Sequence, residues 1–413
     1  MERRPPPATP PPARLDALDV ARGLPHPGGM ERRPPPATPP PARLDALDVA
    51  RGLMLVVSVL VNAWITMPAW FEHAPWAGVH PVDLVFPVFV TLSGAGLGIA
   101  YARRVRPVRE TRRVLVLLLA GVAFTALLAH LAQGRIEWST FDATGVLQLY
   151  AAIVGGVVLL RLGCRMWWQW LVAGLLLAGA QATLLLTWAT GCPGHELTPE
   201  CNPSRVIDAA VFGAAHIYVE GARGHDPSGL VVLVGALSSA ACGAAAGRIM
   251  LDHRDGVPAR RTLVAAGVTV AACLVGALVT GLAVPAFKRL WTAPFALGVA
   301  GATVTVLVML HLALDGRPVG RAERALRYPL VALGRNSLLV YFGSHALTSI
   351  LLRTGPAGGV PVRGPSWAQL WQQELAARVG APGAAAWPLC VAALLAWTLL
   401  VVVLHARRIY IKA

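Results

Sequence analysis

Charged side chains are scarce in this chain. Only 14% of the 413 residues are charged and 55% are hydrophobic, whereas a soluble domain carries about a quarter charged residues. This shortage excludes a soluble globular protein. We therefore expect an integral membrane protein that has the lipid bilayer as its surroundings.

Lysine is almost absent. Lys288 and Lys412 are the only lysines among 36 basic residues, and the others are arginine. The net charge of +15 could suggest a nucleic-acid partner, but the arginines form short clusters between apolar runs. That distribution is typical of cytoplasmic loops in a membrane protein, so we expect no nucleic-acid partner.

Cysteine is also infrequent, with six residues in the chain. Four of them lie in or beside apolar runs, where cysteine behaves as a small buried hydrophobe. Cys192 and Cys201 bound the hydrophilic segment GCPGHELTPEC, nine residues apart. A local disulfide suits this spacing if the loop faces an oxidising compartment. A zinc site would need more ligands than His195 alone, so we expect no metal.

The N-terminal region contains one perfect repeat. Residues 1–24 recur without change at 30–53, separated by PHPGG. A repeat that occurs once is not a solenoid, so we interpret 1–29 as a duplicated, dispensable leader and Met30 as the natural start. Residues 30–50 then form a Pro-rich cytoplasmic segment, and 51–413 form the multispanning transmembrane domain. The two proline tracts predict disordered or polyproline-like chain.

Apolar runs of membrane-spanning length alternate with short polar loops, and a span needs about 20 residues. The pattern predicts an all-α protein with about ten transmembrane helices, open to a division into two five-helix halves. The segment GAGLG at 94–98 predicts close helix packing. The ten predicted spans are 53–70, 84–101, 114–132, 146–162, 167–188, 229–250, 262–284, 292–314, 329–350 and 386–405.

Loop charge predicts the orientation of these spans. Arginine clusters follow the even-numbered spans, and basic residues mark the cytoplasmic side. Both termini are therefore expected inside, with loops 71–83 and 189–228 outside, in a multi-pass protein of the plasma or inner membrane. Lys288 and Arg289 are the exception, because they lie in a loop assigned to the outside.

The stretch from residue 62 to 87, NAWITMPAWFEHAPWAGVHPVDLVFP, concentrates ionisable groups between two apolar runs. Such groups at membrane depth indicate a functional site. His73 can transfer protons near neutral pH. The competing interpretation is a histidine that rests at headgroup level beside Trp70 and Trp76.

Two further polar residues flank His73. Asn62 lies eleven residues upstream, about three helical turns into the first span. A carboxamide in hydrocarbon needs a partner, which could be a neighbouring helix or a substrate. Asp83 begins the second span, where capping the helix competes with a catalytic role.

The loop resembles the HAxWxGxxxxDLVFP signature of the heparan-α-glucosaminide N-acetyltransferase family, a set of multispanning acetyl-CoA-dependent enzymes. Together the similar segments cover nearly all of the chain after residue 43. The other segments that resemble family elements, in the same order, are LDALDVARGL, TGVLQLYAAIV, CNPSRVIDAAVFGAAHIY followed by DPSGL, KRLWTAPFAL, LGRNSLLVYFGSH and RRIYIKA.

The resemblance implies roles for particular residues. His73 matches the active-site histidine, Asn62 matches an asparagine eleven residues before it, and Asp83 joins them as a catalytic candidate. Ser344 takes the place of a family histidine, with His345 adjacent, and His80 has no counterpart. The implied cofactor-binding residues are Arg51, Asp48, Gln148, Lys288, Trp291 and Asn336, and the implied substrate-binding residues are Trp76, His216 and Asp226.

The expected function is transfer of the acetyl group of cytoplasmic acetyl-CoA to an amino sugar or glycan on the extracytoplasmic side. His73 could act as the general base or carry the acetyl group itself, while Asn62 and Asn336 could orient the thioester. A homodimer is left open. The alternatives are a proton-coupled transporter of a small solute or lipid-linked sugar and a non-catalytic scaffold, and binding of acetyl-CoA separates both from the enzyme.

Overall fold

A computed structural model describes residues 44–65, 67–102, 105–218, 224–315, 320–356, 364–380 and 386–411. The predicted leader 1–29 and both proline tracts lie outside these residues. All regular elements in the described part are helical. The α-helices are α1 (Asp45–Ala63), α2 (Val85–Ala100), α3 (Pro107–Gln133), α4 (Val146–Gly163), α5 (Trp167–Ala189), α6 (Pro203–Phe212), α7 (Leu230–Arg254), α8 (Ala259–Gly281), α9 (Ala293–Leu314), α10 (Arg321–Arg335), α11 (Ser337–Arg353), α12 (Trp367–Val379) and α13 (Ala386–Ala406).

The described residues contain nine helices that are long and apolar enough to cross a membrane, and they correspond to nine of the ten predicted spans. The first differs in position: α1 covers Asp45–Ala63 rather than 53–70. The apolar run continues past residue 63, but Pro68 disfavours helix at the residue before it. Residues 45–50, expected in the cytoplasmic segment, therefore belong to the first candidate span.

The predicted span 329–350 is wrong as a single helix, because α10 ends and α11 begins at Asn336. The Asn336 carboxamide accepts a hydrogen bond from the backbone N–H of Ile411 at 3.3 Å. Beyond this break α11 has 17 residues, about 25 Å of helix. From the break, α11 extends to Ser344 and Leu351, which lie beside Asn62 near the C-terminal end of α1. The chain therefore still passes once along the bundle in this region.

Helices α2 and α7 pack closely at the centre of the bundle, where α7 is the most buried of the candidate spans. A Cβ added at Gly94 would lie 2.1 Å from the carbonyl oxygen of Ala240, and one at Gly243 would lie 2.0 Å from that of Thr91. Only glycine fits at such distances, so the close packing predicted for 94–98 is confirmed.

The loops meet at two opposite ends of the bundle. At one, which we call the His73 end, Trp76 donates to the Leu197 carbonyl at 2.9 Å and Arg289 donates to the Ala74 carbonyl at 3.0 Å. At the other, the Asp48 end, Arg335 pairs with Asp48 at 3.1 Å. Alternate loops therefore share an end, as up-and-down spans require.

A disulfide joins Cys192 and Cys201 at the His73 end, so this prediction is confirmed. Cys164, Cys242, Cys273 and Cys390 are free and buried, as expected from their positions in apolar runs.

Candidate active site

His73 and Asp83 form a hydrogen-bonded pair at the bundle surface. The His73 Nδ1 atom lies 2.5 Å from Asp83 Oδ1, with side-chain exposures of 52% and 1%. His73 belongs to the loop after α1, and Asp83 to the 3₁₀ turn Pro81–Leu84 that leads into α2. A buried carboxylate that accepts the Nδ1–H leaves Nε2 as the basic nitrogen of the ring.

Asp83 also organises the loop that carries His73. Its Oδ2 accepts the backbone N–H of Ala74 at 3.3 Å and that of His80 at 2.9 Å. Asp83 therefore caps the turn and orients His73 at once, whereas its catalytic role stays a prediction. The His80 ring contacts the Glu72 carbonyl oxygen, with Nδ1 at 2.6 Å, and so supports the loop.

Trp76 anchors this loop to its neighbours. Its indole N–H donates to the Leu197 carbonyl. Its ring lies edge-on to His225 with centroids 5.4 Å apart, and 5.9 Å from the ring of Phe287. The half-buried indole thus lies between the loop after α5 and the loop after α8.

Lys288 and Arg289, the exceptions to the charge pattern, belong to the His73 end. Arg289 holds the Ala74 carbonyl through Nε. Burial lowers the pKa of the Lys288 ammonium, Asp83 opposes this shift, and Arg289 adds to it. Lys288 was expected to bind cofactor together with Arg51 and Asp48, but the structure separates it from Asp48 by the length of α1.

His225 is a member of this site that the sequence reasoning missed. It is 4% exposed, and its Nε2 has no hydrogen-bond partner among the described residues. Burial, with the charges of Arg289 and Lys288, lowers its pKa to about 3. The available signal was its position directly before the DPSGL segment.

His216 and Asp226, the expected substrate-binding residues, hold loops together. Asp226 is fully buried and accepts from the Thr144 hydroxyl at 2.6 Å and from the Ser228 N–H at 2.8 Å. The Nδ1 atom of His216 lies 2.9 Å from the Phe141 carbonyl oxygen. Their role in substrate binding stays a prediction.

Asn62 is not brought next to His73. Its side-chain amide donates to the Ser344 hydroxyl at 2.9 Å, so the serine that departs from the family pattern is the partner of the predicted asparagine. Both residues line a cavity of about 260 Å³ between α1, α11, α12 and α13. The other lining residues are apolar with the exception of Thr348, and His73 is not among them.

Several expected cofactor-binding residues lie towards the Asp48 end. Arg51 projects between α1 and α2, where it donates to the Leu92 carbonyl at 3.2 Å and packs over Gly96. Asp48 forms an ion pair with Arg335, and the Asn336 carboxamide accepts a hydrogen bond from the backbone of the C-terminal segment. Gln148 is different, because it lies in the first turn of α4, next to the loop that bonds to Asp226 at the His73 end; it donates to Thr125 of α3 at 3.2 Å.

Trp291 lies in the core beneath the site. It is 1% exposed, and its indole N–H donates to the Ser239 hydroxyl at 3.2 Å. Its backbone has φ +48°, a left-handed conformation that is unusual for a bulky residue. The ring packs edge-on against Phe86 at 5.5 Å, one turn beyond Asp83, so Trp291 supports the start of α2.

No group of three or more His, Cys, Asp or Glu in the described ranges could hold a metal ion. The chemistry available at the His73 end is that of an oriented imidazole, a buried carboxylate and two cations.

No family model matches the chain. The chain is 24% identical over 347 residues to heparan-alpha-glucosaminide N-acetyltransferase of Homo sapiens, which covers 70% of this chain and 51% of that protein. The corresponding protein of Mus musculus is 23% identical over 350 residues, with 71% and 52% covered. The chain thus spans about half the length of the curated relatives it matches. This all-α membrane protein is a distant relative of the heparan-alpha-glucosaminide N-acetyltransferases.

Proposed function

We propose that the protein is a transmembrane acetyltransferase. It takes the acetyl group of acetyl-CoA from the Asp48 end and passes it to the amine of a sugar or glycan at the His73 end. The observation that carries the proposal is the His73–Asp83 pair at 2.5 Å, together with curated relatives named as N-acetyltransferases. We place the Asp48 end in the cytoplasm and the protein in the plasma or inner membrane.

Asp83 makes His73 suitable for acyl transfer. A carboxylate at Nδ1 fixes the tautomer and stabilises the imidazolium that forms when Nε2 takes a proton or an acetyl group. In the two-step route, Nε2 attacks the thioester carbonyl, the carbon–sulfur bond breaks, and the CoA thiolate leaves and takes up a proton. The acceptor amine then attacks the acetyl-imidazole and loses its proton, which restores His73.

Two arginines on the inner half of the bundle suit the phosphates of CoA. Arg113 Nε is buried and has no hydrogen-bond partner among the described residues. Arg51 lies close enough for the two charges to interact. Planar guanidinium groups match phosphate oxygens, so both side chains offer donors to a bound diphosphate, beside the carboxylates of Glu110, which pairs with Arg113 at 3.9 Å, and Asp48, whose charge acts on Arg51.

A proton-coupled transporter is the second candidate, and one cluster favours it. His253 Nδ1 lies 2.9 Å from His311 Nε2, and His311 Nδ1 lies 2.6 Å from Asp315 Oδ2. Chains of His and Asp inside a helical bundle serve as proton relays in pumps and transporters. The acetyltransferase chemistry does not use this cluster.

Purified protein supplied with radiolabelled acetyl-CoA and glucosamine tests the proposal. We expect label in the sugar with the wild type and none with His73→Ala, while acetyl-CoA binding persists in both. His130→Ala is the matched control, because His130 is an exposed histidine at the end of α3. Absence of both acetyl-CoA binding and label transfer in the wild type would overturn the proposal in favour of the transporter.

A further inference from the structure

A pocket of about 650 Å³ lies at the Asp48 end, between the start of α5, the end of α7 and the start of α8. The acetyl transfer proposed above does not use it. Six of its ten lining residues are apolar and three are charged, so its wall suits a molecule that is itself part apolar and part charged. The charged lining residues are Asp252, Arg260 and Arg261, and the apolar ones include Trp167, Ile249 and Val264.

The charged part of this pocket is predominantly positive. Arg260 and Arg261 are exposed, and neither forms an ion pair or a side-chain hydrogen bond within the described part of the chain. The lining carboxylate, Asp252, already pairs with Arg248 at 3.0 Å. The next acid along the chain, Asp255, pairs with the arginine before it at 3.0 Å. The two lining arginines therefore keep their donors available to an anion.

The apolar part of the pocket continues onto the surface that faces the bilayer. Val264 lines the pocket and is 60% exposed. Further apolar side chains are exposed on the two flanking helices, Leu263 and Val268 of α8 and Trp168 and Val172 of α5. Both helices are long and apolar enough to cross a membrane, so these side chains contact lipid tails. A molecule in the pocket thus meets cations at one side and hydrocarbon at the other.

The position of Trp167 marks the level of the lipid headgroups. It is the first residue of α5, lines the pocket and is half-buried. Tryptophan is enriched at the membrane–water interface. Arginine places its apolar stem along apolar surface and keeps its guanidinium at the same level. The pocket therefore lies where a phosphate group attached to lipid tails is found.

We propose that this pocket binds the headgroup of an anionic glycerophospholipid in the leaflet at the Asp48 end. Arg260 and Arg261 donate charge-assisted hydrogen bonds to the phosphate oxygens, and an acyl chain extends along Val264. Basic pockets between membrane helices on the cytoplasmic side bind acidic phospholipid headgroups in this way. The site is separate from the acetyl transfer, because neither Arg51 nor Arg113 lines it.

Lipid binding to the purified full chain tests the proposal. Native mass spectrometry measures the Kd for phosphatidylglycerol and for phosphatidylcholine with the same acyl chains. We expect the wild type to bind phosphatidylglycerol more tightly. In Arg260→Gln/Arg261→Gln its Kd should rise roughly thirtyfold, about fivefold for each arginine, while the Kd for phosphatidylcholine stays the same. Equal Kd values for the two lipids in the wild type would overturn the proposal.

The matched control is Arg109→Gln/Arg112→Gln, because both arginines are exposed at the same end and lie outside the pocket. This variant should bind phosphatidylglycerol as the wild type does. A loss equal to that of the pocket variant would show a general effect of surface charge, and the proposal would be wrong.

A local probe identifies the occupant while both arginines are kept, so the result does not depend on a charge variant that fails to fold. Val257→Cys carries a small trifluoromethyl label in the pocket, because Val257 lines it and the native free thiols are buried. Its fluorine NMR signal should shift with phosphatidylglycerol and not with phosphatidylcholine, glycerol 3-phosphate or acetyl-CoA.

The other outcomes of this titration contradict the proposal. A shift with glycerol 3-phosphate would mean that the pocket binds a free phosphate compound, and a shift with acetyl-CoA would assign it to the acetyl donor. No response to phosphatidylglycerol would show that the pocket does not bind anionic lipid. A response to phosphatidylglycerol alone supports the lipid site whether or not acetyl transfer is detected.

Discussion

The Nδ1 atom of His73 lies 2.5 Å from Oδ1 of Asp83, so a half-exposed imidazole rests on a fully buried carboxylate. Asp83→Asn keeps the shape but removes the charge that stabilises an imidazolium. We expect kcat to fall by roughly a hundredfold to ten-thousandfold, with acetyl-CoA affinity unchanged. Steady-state kinetics and equilibrium binding measure the two quantities. Glu200→Gln, an exposed acid at the same end, is the control, and a kcat for Asp83→Asn within twofold of wild type would contradict the role.

The Asn62–Ser344 hydrogen bond lies in an apolar cavity, so the two residues should be energetically coupled. Ser344→Ala leaves the Asn62 carboxamide without its partner, whereas the double variant removes both groups. We expect a double-mutant cycle on thermal stability to give a coupling of about 0.6–1.7 kcal/mol. Additive effects would show that the bond contributes nothing. A fall in kcat for Asn62→Ala that exceeds its loss of stability would support the predicted positioning role.

The topology can be read from single cysteines, because the four native free thiols are buried. Ala77 and Arg165 are exposed at opposite ends of the bundle. We expect a membrane-impermeant thiol reagent added outside intact cells to label Ala77→Cys and not Arg165→Cys. The reverse pattern would invert the orientation and place His73 in the cytoplasm.

His225 predicts a pH dependence of stability. Its pKa of about 3 in the folded protein lies below the value of about 6.5 for an unfolded histidine. Between these values the unfolded chain binds the extra proton, so stability is full above pH 6.5 and is lost as the pH falls.

Thermal unfolding at pH 7.5 and pH 5.0 measures the effect. The wild type should lose up to about 2 kcal/mol more than His225→Gln over this interval. Burial raises the pKa of Asp142 and of Asp208, which acts in the opposite direction, so only the comparison with the variant isolates His225. Parallel loss in both proteins would contradict the prediction.

The packing of α2 on α7 predicts an asymmetry between two glycines. A Cβ at Gly243 would lie 2.0 Å from a backbone oxygen of α2, whereas one at Gly267 in α8 meets no atom within 4 Å. Overpacking of this kind costs about 1–3 kcal/mol or more. We expect Gly243→Val to lower the melting temperature and the yield of folded protein, and Gly267→Val to do neither. Equal behaviour would mean that the helices are not in contact there.

The membrane architecture follows from local properties of the sequence. Length and hydropathy predicted ten spans, because a helix in hydrocarbon must satisfy its own backbone, and nine of them are, in the described part of the chain, helices long and apolar enough to cross a membrane. The glycines at 94 and 98 identified a packing face, and the spacing of Cys192 and Cys201 identified their disulfide. The HAPW…DLVFP loop identified His73 and Asp83 separately as candidates ten residues apart, and the fold pairs them.

Contacts between distant segments were decided by the tertiary structure alone. The break at Asn336 lies within an apolar run, and the Asn336 side chain there accepts a hydrogen bond from Ile411, 75 residues away. The Asn62 side chain donates to Ser344, 282 residues away in the sequence, and does not contact the His73 site. In the sequence, Lys288 and Arg289 were exceptions to the loop-charge pattern. In the fold, the charge of Asp83 acts on Lys288, and Arg289 donates to the Ala74 carbonyl. His225 was identified as a member of the site only from its burial and from its Nε2 atom, which has no hydrogen-bond partner among the described residues. Hydropathy and spacing are local quantities, whereas the partner of a polar side chain depends on how all the helices pack.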